Sequence, residues 1–291
     1  MTLKIGYGKF YSVVFNSINL KLGEDMGIWY SDSRMDWHEI EDDQVKKNAN
    51  CVAVICREDK LIEGKEFSIL KVKNFGKTFN LCEFEPFYDQ PISTGGLMGG
   101  ALVREDIIAT AAHALEMKKI EELRFVFGYK MLNPSRPVKR ISNKDIYRGV
   151  NIIHKVLNPS DYRADWALVK LDRKVEGQRV AVMSKSDISC DQSVYMIGYP
   201  MGLPLKYVHG AKVREIDNAY FDTDLDTYMG NSGSPVFNSD THEMIGLVVR
   251  GNPRDLRWGG KDWISVVYPD PAISSWKPAC IKISEFIRFV D

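Results

Sequence analysis

The feature that most constrains this chain is a succession of short apolar runs separated by turn-forming residues. CVAVIC (51–56), FSILKVK (67–73), GALV (100–103), IIATAA (107–112), LRFVFGY (123–129), WALVKL (166–171), VYMIGY (194–199), SPVF (234–237), MIGLVV (244–249) and WISVVY (263–268) are rich in Val, Ile, Phe and Tyr. Gly, Pro, Asn and Asp cluster between them. Runs of this length and content read as strands, and many of them in succession read as an all-β sandwich or barrel. Long helices do not alternate with the runs, which disfavours a doubly wound α/β sheet. Two segments carry helical signals. HALEMKKIEEL (113–123) predicts a short helix or helical turn after a strand. IKISEFIRFV (281–290) spaces Ile283, Phe286, Ile287 and Val290 as one face of an amphipathic, packing helix.

Charge and cysteine content narrow the function classes. With 39 basic and 39 acidic residues the formal net charge is +0, so no global field favours nucleic acid or an anionic membrane. No stretch approaches the roughly 20 apolar residues that span a bilayer. The first 25 residues are interrupted by Lys4, Lys9, Asn16 and Asn19 and do not read as a signal peptide. Cys51, Cys56, Cys82, Cys190 and Cys280 are odd in number, form no CxxC pair and show no zinc spacing. They are expected as buried free thiols. Neither a metal nor an organic cofactor is called for. The acidic cluster Glu39, Glu41, Asp42 and Asp43 reads as a solvated face.

Three local signals carry chemistry. Gly230-Asn231-Ser232-Gly233-Ser234-Pro235 surrounds a serine with residues small enough for a tight, exposed turn. The N–H groups of Gly230 and Ser232 would face the oxygen of a tetrahedral intermediate, where losing one donor costs about 3 kcal/mol. Taken alone, the same residues also suit a polar loop. The apolar run 107–112 ends on His113, a base with the right affinity to take a serine proton. Asp165 immediately precedes WALVKL and would hold the tautomer of that histidine. Asp161, in a Pro-containing loop, and Asp172, beyond the strand, are the rival acids.

At these three positions the chain resembles trypsin-like peptidases, with AAH, DWALVKL and GNSGSPVF in the order His, Asp, Ser. Other triad folds use other orders. Met98-Gly99-Gly100-Ala101-Leu102-Val103 resembles the strand before their histidine. The wider pattern is most similar to the bacterial glutamyl-endopeptidase-like branch. The segments that carry this likeness are 81–83 through 89–91, Gly198-Tyr199-Pro200 through Lys206, 225–232 and 28–34. The resemblance implies an all-β fold of two six-stranded antiparallel barrels closed by a C-terminal helix. The expected layout is an N-terminal extension, 1–45, wrapping the first barrel, then a peptidase domain, 46–291. Within it, barrel one covers about 46–170, barrel two about 171–275 and the helix about 281–290.

The resemblance also implies a serine endopeptidase acting on protein or peptide substrates, with His113, Asp165 and Ser232 as catalytic residues. A substrate would add as a strand beside 248–251, held by the backbone of Val249 and Gly251, with Val248 and Arg250 flanking. Glutamate-specific relatives place a histidine where Val248 stands, which argues against that preference. Asp226 occupies the place of the acid that selects Lys or Arg in trypsins, with Thr227 beside it. Both a selecting and a structural role for Asp226 stay open. Secreted relatives bridge two cysteines around the histidine, where this chain has Met98 and Ala114. That absence suits a reducing compartment, and a cytoplasmic location is expected. A secreted protein that had lost its leader would read the same way. Asn231, uncharged, stands where zymogen-type relatives place the Asp that receives a new N-terminus. Control would then fall to residues 1–45 or to a partner, which the sequence does not name. Two other functions compete: a catalytically silent binding module on the same fold, and an esterase or acyl transferase using the same triad.

Overall fold

The computed structural model describes residues 28–29, 31–158, 165–251, 255–268 and 277–290. Most of the expected extension (1–27) and the rival acid Asp161 lie outside the described residues. A strand at Arg34–Asp36 (β1) precedes two sets of six. The first set is Val52–Arg57 (β2), Gly96–Arg104 (β3), Ile107–Thr110 (β4), Leu123–Phe127 (β5), Ile146–Leu157 (β6) and Asp165–Leu171 (β7). The second is Ser193–Gly198 (β8), Lys206–Ile216 (β9), Tyr220–Thr223 (β10), Pro235–Asn238 (β11), Met244–Arg250 (β12) and Ala279–Lys282 (β13).

Each set closes on itself through antiparallel pairs. The first runs β5-β6-β7-β4-β3-β2 and returns to β5. The second runs β8-β11-β12-β13-β10-β9 and returns to β8, with β1 added outside on β9. The fold is therefore two six-stranded β-barrels, a chymotrypsin-like architecture. Closure removes the two free edges that an open six-stranded sheet would carry, leaving only strand ends that run past their partners. Val54, Leu102, Ile108, Phe125 and Leu168 fill the first core; Val194, Met196, Val208, Phe221, Val236 and Val248 fill the second.

Two expectations are corrected. Residues 281–290 do not form one helix. Ile281 and Lys282 are drawn into β13, which closes barrel two, and the rest makes two 3-10 turns, Ile283–Glu285 and Ile287–Phe289. The apolar spacing still works: Ile283, Phe286 and Val290 are buried, and the Trp166 ring lies 5.8 Å from Phe286 and 5.7 Å from Phe289. Second, the described part of the extension runs along barrel two rather than around barrel one. Asp36 pairs with Lys206, and Ile28–Trp29 pairs in parallel with Val267–Tyr268. The short helix or helical turn expected after His113 takes the form of two 3-10 turns, Ala112–Met117 and Ile120–Glu122. The acidic cluster is exposed, as a solvated face should be, and Asp42 caps the helix Asp43–Ala49 by accepting from Gln44 and Val45 N–H.

Candidate active site

Strand register delivers the first two side chains. β4 and β7 run antiparallel with Thr110 opposite Ala167. Two residues further along each strand, Asp165 comes level with Ala112, and the chain has just turned into the 3-10 segment that carries His113. Asp165 Oδ1 accepts the backbone N–H of His113 at 3.0 Å, and Oδ2 lies 2.5 Å from Nδ1. Two bonds to one carboxylate fix both the backbone and the ring. With the carboxylate ionised, Nδ1 carries the proton and Nε2 is left to accept one. The Asp165 side chain is 12% exposed and that of His113 27%, so the acid is sheltered and the base is open to solvent. The rival Asp172 sits about 20 Å away along β7 and accepts from Arg148 N–H instead.

The serine turn is pressed against the same corner from the other barrel. Gly99 N–H of β3 donates to Ser232 carbonyl at 2.9 Å, and Gly233 N–H donates to Val248 carbonyl at 2.6 Å. Gly233 has φ +78°, and a Cβ there would lie 2.3 Å from Thr110 Oγ1 and 3.0 Å from Ala111 N. No side chain fits. That contact sets Ser232 beside the strand end that leads, two residues later, into His113. Gly230 has φ +95°, a conformation L side chains rarely adopt. The Met229 carbonyl accepts from Met201 N–H at 2.5 Å. In a trans peptide the N–H points opposite the carbonyl, so Gly230 N–H turns away from residue 201. Neither Gly230 N–H nor Ser232 N–H donates to an acceptor among the described residues. Two unspent donors on a serine turn can stabilise a developing oxyanion.

The expected specificity residues divide. Asp226 does not face an incoming side chain. Its Oδ1 accepts Trp29 N–H at 2.7 Å, and its Oδ2 accepts Ser33 N–H at 2.8 Å and Ser33 O–H at 2.5 Å. Burial pushes its carboxyl up, against the pull of those three donors. The acid thus anchors the 28–34 segment, a structural role. Val248 is corrected too: its side chain belongs to the barrel-two core, and its backbone is committed to Gly233 and Ser234. Thr227 is buried and packs close to Gly251, where a Cβ would come 2.9 Å from its Oγ1. Val249, Arg250 and Gly251 run on past Leu247, where pairing with β11 ends among the described residues. Asp222 is pushed up to about 6 by burial and by Glu215, and Lys277 and Arg250 pull it back.

Sequence reasoning missed a buried ionic seam. Lys206 is fully buried and donates to Asp36 Oδ1 at 2.5 Å, Gln90 Oε1 at 2.8 Å and Pro204 carbonyl at 3.2 Å. Burial lowers its ammonium to about 8, against the pull of Asp36. Arg34 is also buried, paired with Asp32 at 2.7 Å and stacked 4.2 Å from the centre of the Tyr228 ring. A signal was present: the segments of the glutamyl-endopeptidase resemblance, 28–34, 81–91 and 198–206, meet in this seam. Among the described residues no cluster of His, Cys, Asp and Glu could hold a metal ion. All five cysteines are free; Cys51, Cys56 and Cys280 are buried as expected, whereas Cys82 is half-buried and Cys190 exposed.

Paired barrels, with a His–Asp couple at the rim of one and a Gly-Asn-Ser-Gly turn on the other, define the architecture of chymotrypsin-like serine peptidases. The family model for the trypsin-like peptidase domain matches residues 98–247, just over half of the chain. The chain belongs to the trypsin-like peptidase family. Its fold is similar to that of a Glu endopeptidase, 14% identical with a TM-score of 0.52, over 90% of this chain and 98% of that one. It is also similar to the VesB protease of Vibrio cholerae, 12% identical with a TM-score of 0.53, over 89% of this chain and 66% of that one.

Proposed function

We propose that this chain is an active serine endopeptidase that hydrolyses peptide bonds through an acyl-enzyme. The observation that supports the reading is the double hold of Asp165 on His113, with the Ser232 turn packed at Gly233 against Thr110 and Ala111, just ahead of that histidine. His113 Nε2 takes the Ser232 Oγ proton as Oγ attacks the scissile carbonyl carbon. Gly230 and Ser232 N–H groups hold the resulting oxyanion. The C–N bond then breaks, and the leaving amine departs with the proton from His113. Water attacks the acyl ester by the reverse sequence and frees Ser232. A substrate strand beside Val249–Gly251 supplies the remaining alignment.

The cleavage is proposed to be limited and regulatory, in a reducing cytoplasm. Five free cysteines, and Met98 and Ala114 in place of a bridge beside His113, support that setting. Ser232→Ala should stay folded and lose roughly 10⁶ in kcat, since the triad acts as a unit. Fluorophosphonate should label the wild type and not the variant. Peptidase turnover surviving in Ser232→Ala would remove the assignment, and absence of labelling in the wild type would favour a silent binding module. Esters turned over without amides would favour an esterase. Unrestricted digestion of denatured casein at low dose would argue against a regulatory role.

A further inference from the structure

We propose that Asp255 is a positioning residue for the oxyanion hole, its carboxylate holding Met229 so that the Gly230 N–H faces the reacting carbonyl. The inference rests on the peptidase reading above. Asp255 is 5% exposed. Its Oδ2 accepts Met229 N–H at 2.8 Å. The Met229 carbonyl accepts from Met201 N–H at 2.5 Å. Residue 229 is therefore pinned on both sides, immediately before a glycine at φ +95°.

That pinning matters because the next peptide link is otherwise easy to turn. Glycine offers little resistance to rotation. A flip of the Met229–Gly230 peptide would put a carbonyl oxygen where the Gly230 N–H stands. The hole would then present an acceptor to a negative oxygen. The bond to Met201 opposes the flip directly, and Asp255 holds the preceding N–H so that the bond to Met201 stays aligned.

The surroundings of Asp255 are costly for a merely structural group. Its Oδ1 is buried with no partner among the described residues. Burial pushes its carboxyl up to about 7, against the Met229 N–H and the Arg34 guanidinium. Arg34 in turn stacks on Tyr228, the residue before Met229. One seam thus runs from Asp32 through Arg34 to the loop that carries the hole.

The test uses the full chain, with Asp255→Ala and Asp255→Asn, a peptide amide that the wild type cleaves, and the matching peptide aldehyde. The aldehyde adds to the serine and places an oxygen in the hole. Asp255→Ala should lower kcat roughly 10- to 100-fold, less than or equal to outright loss of one donor. KM should change by less than about twofold, because ground-state binding is untouched. Aldehyde affinity should fall by the same factor as kcat, and the Met229 amide proton should exchange at least tenfold faster. Asp255→Asn keeps an acceptor oxygen and should recover most of the loss. If Asp255→Ala does not fold, Asp255→Ser, one atom too short to reach Met229, carries the same expectation. A folded variant with unchanged kcat and aldehyde affinity would overturn the inference. So would equal losses in Ala and Asn variants accompanied by raised KM. Wild-type labelling at Ser232 separates the two levels: an unlabelled, inactive wild type fails the peptidase reading itself, whereas a labelled one with an indifferent Asp255→Ala fails only this inference.

Discussion

The two barrels share a strand plan but handle charge differently. Barrel one is lined by apolar side chains, and of the buried charged residues among those described only Asp165 belongs to it. Arg34, Asp36, Lys206, Asp224, Asp226 and Asp255 are all buried on or against barrel two. Both barrels close with their own six strands, but barrel two also carries β1 and the 81–91 segment on its outside, and ions stitch them on. A buried ion pair adds little net stability over apolar packing, yet it fixes which groups must meet. Barrel one therefore serves as a dry frame that presents one oriented imidazole. Barrel two carries the serine turn and the strand end at Val249–Gly251, whose positions depend on contacts between distant segments.

The largest test of this contrast removes the single buried charge of barrel one. Asp165→Asn should lower kcat by about 10⁴ through the wrong imidazole tautomer, while melting close to wild type. A collapse in thermal stability with activity retained would reverse the contrast. Next comes Lys206→Ala, which leaves Asp36 buried without its cation and should cost about 3–5 kcal/mol in urea unfolding. Replacing Lys206 and Asp36 together by Met and Leu should restore part of that loss. A single variant as stable as the wild type would show that the seam is not what attaches β1.

The smallest effect is a pH dependence at Asp255. Unfolded, this carboxyl ionises near 3.8; folded, it holds its proton to about 7. The folded state thus binds the extra proton across that window, and stability falls as pH rises through it. Asn cannot titrate, so the thermal midpoint of Asp255→Asn relative to wild type should climb between pH 5 and pH 8. Asp222 and Asp226, also raised, tilt both proteins alike and cancel in the difference. A constant difference would show that Asp255 is not charged in a buried site.

Much of the fold was legible because barrel strands with one or two buried faces spell themselves in Val, Ile and Phe. Asp165–Leu171 and Met244–Arg250 are buried nearly throughout and stand out in the chain. The long strands Ile146–Leu157 and Lys206–Ile216 did not, because exposed and charged residues interrupt them and bulges break their alternation. Ala279–Lys282 was hidden in a helical pattern, since Ile281 and Ile283 serve a strand and a 3-10 turn as well as a helix. Asp226 shows the limit at the site. Its position suggested a selector, but its partners Trp29 and Ser33 lie almost two hundred residues away in sequence, and spacing along the chain says nothing of them.

By itself the sequence determined the strand-rich class, the residues His113, Asp165 and Ser232 with their order, and the glycines that permit a tight serine turn. These are local properties: backbone freedom, side-chain chemistry and apolar runs are written residue by residue. Only the tertiary structure decided which carboxylates are spent and which stay open. Asp165 meets an imidazole, Asp226 meets a backbone, Asp36 meets Lys206, and Asp255 meets the Met229 N–H. The reason is that a buried carboxylate takes its function from the donors that folding brings to it, and those donors come from other strands.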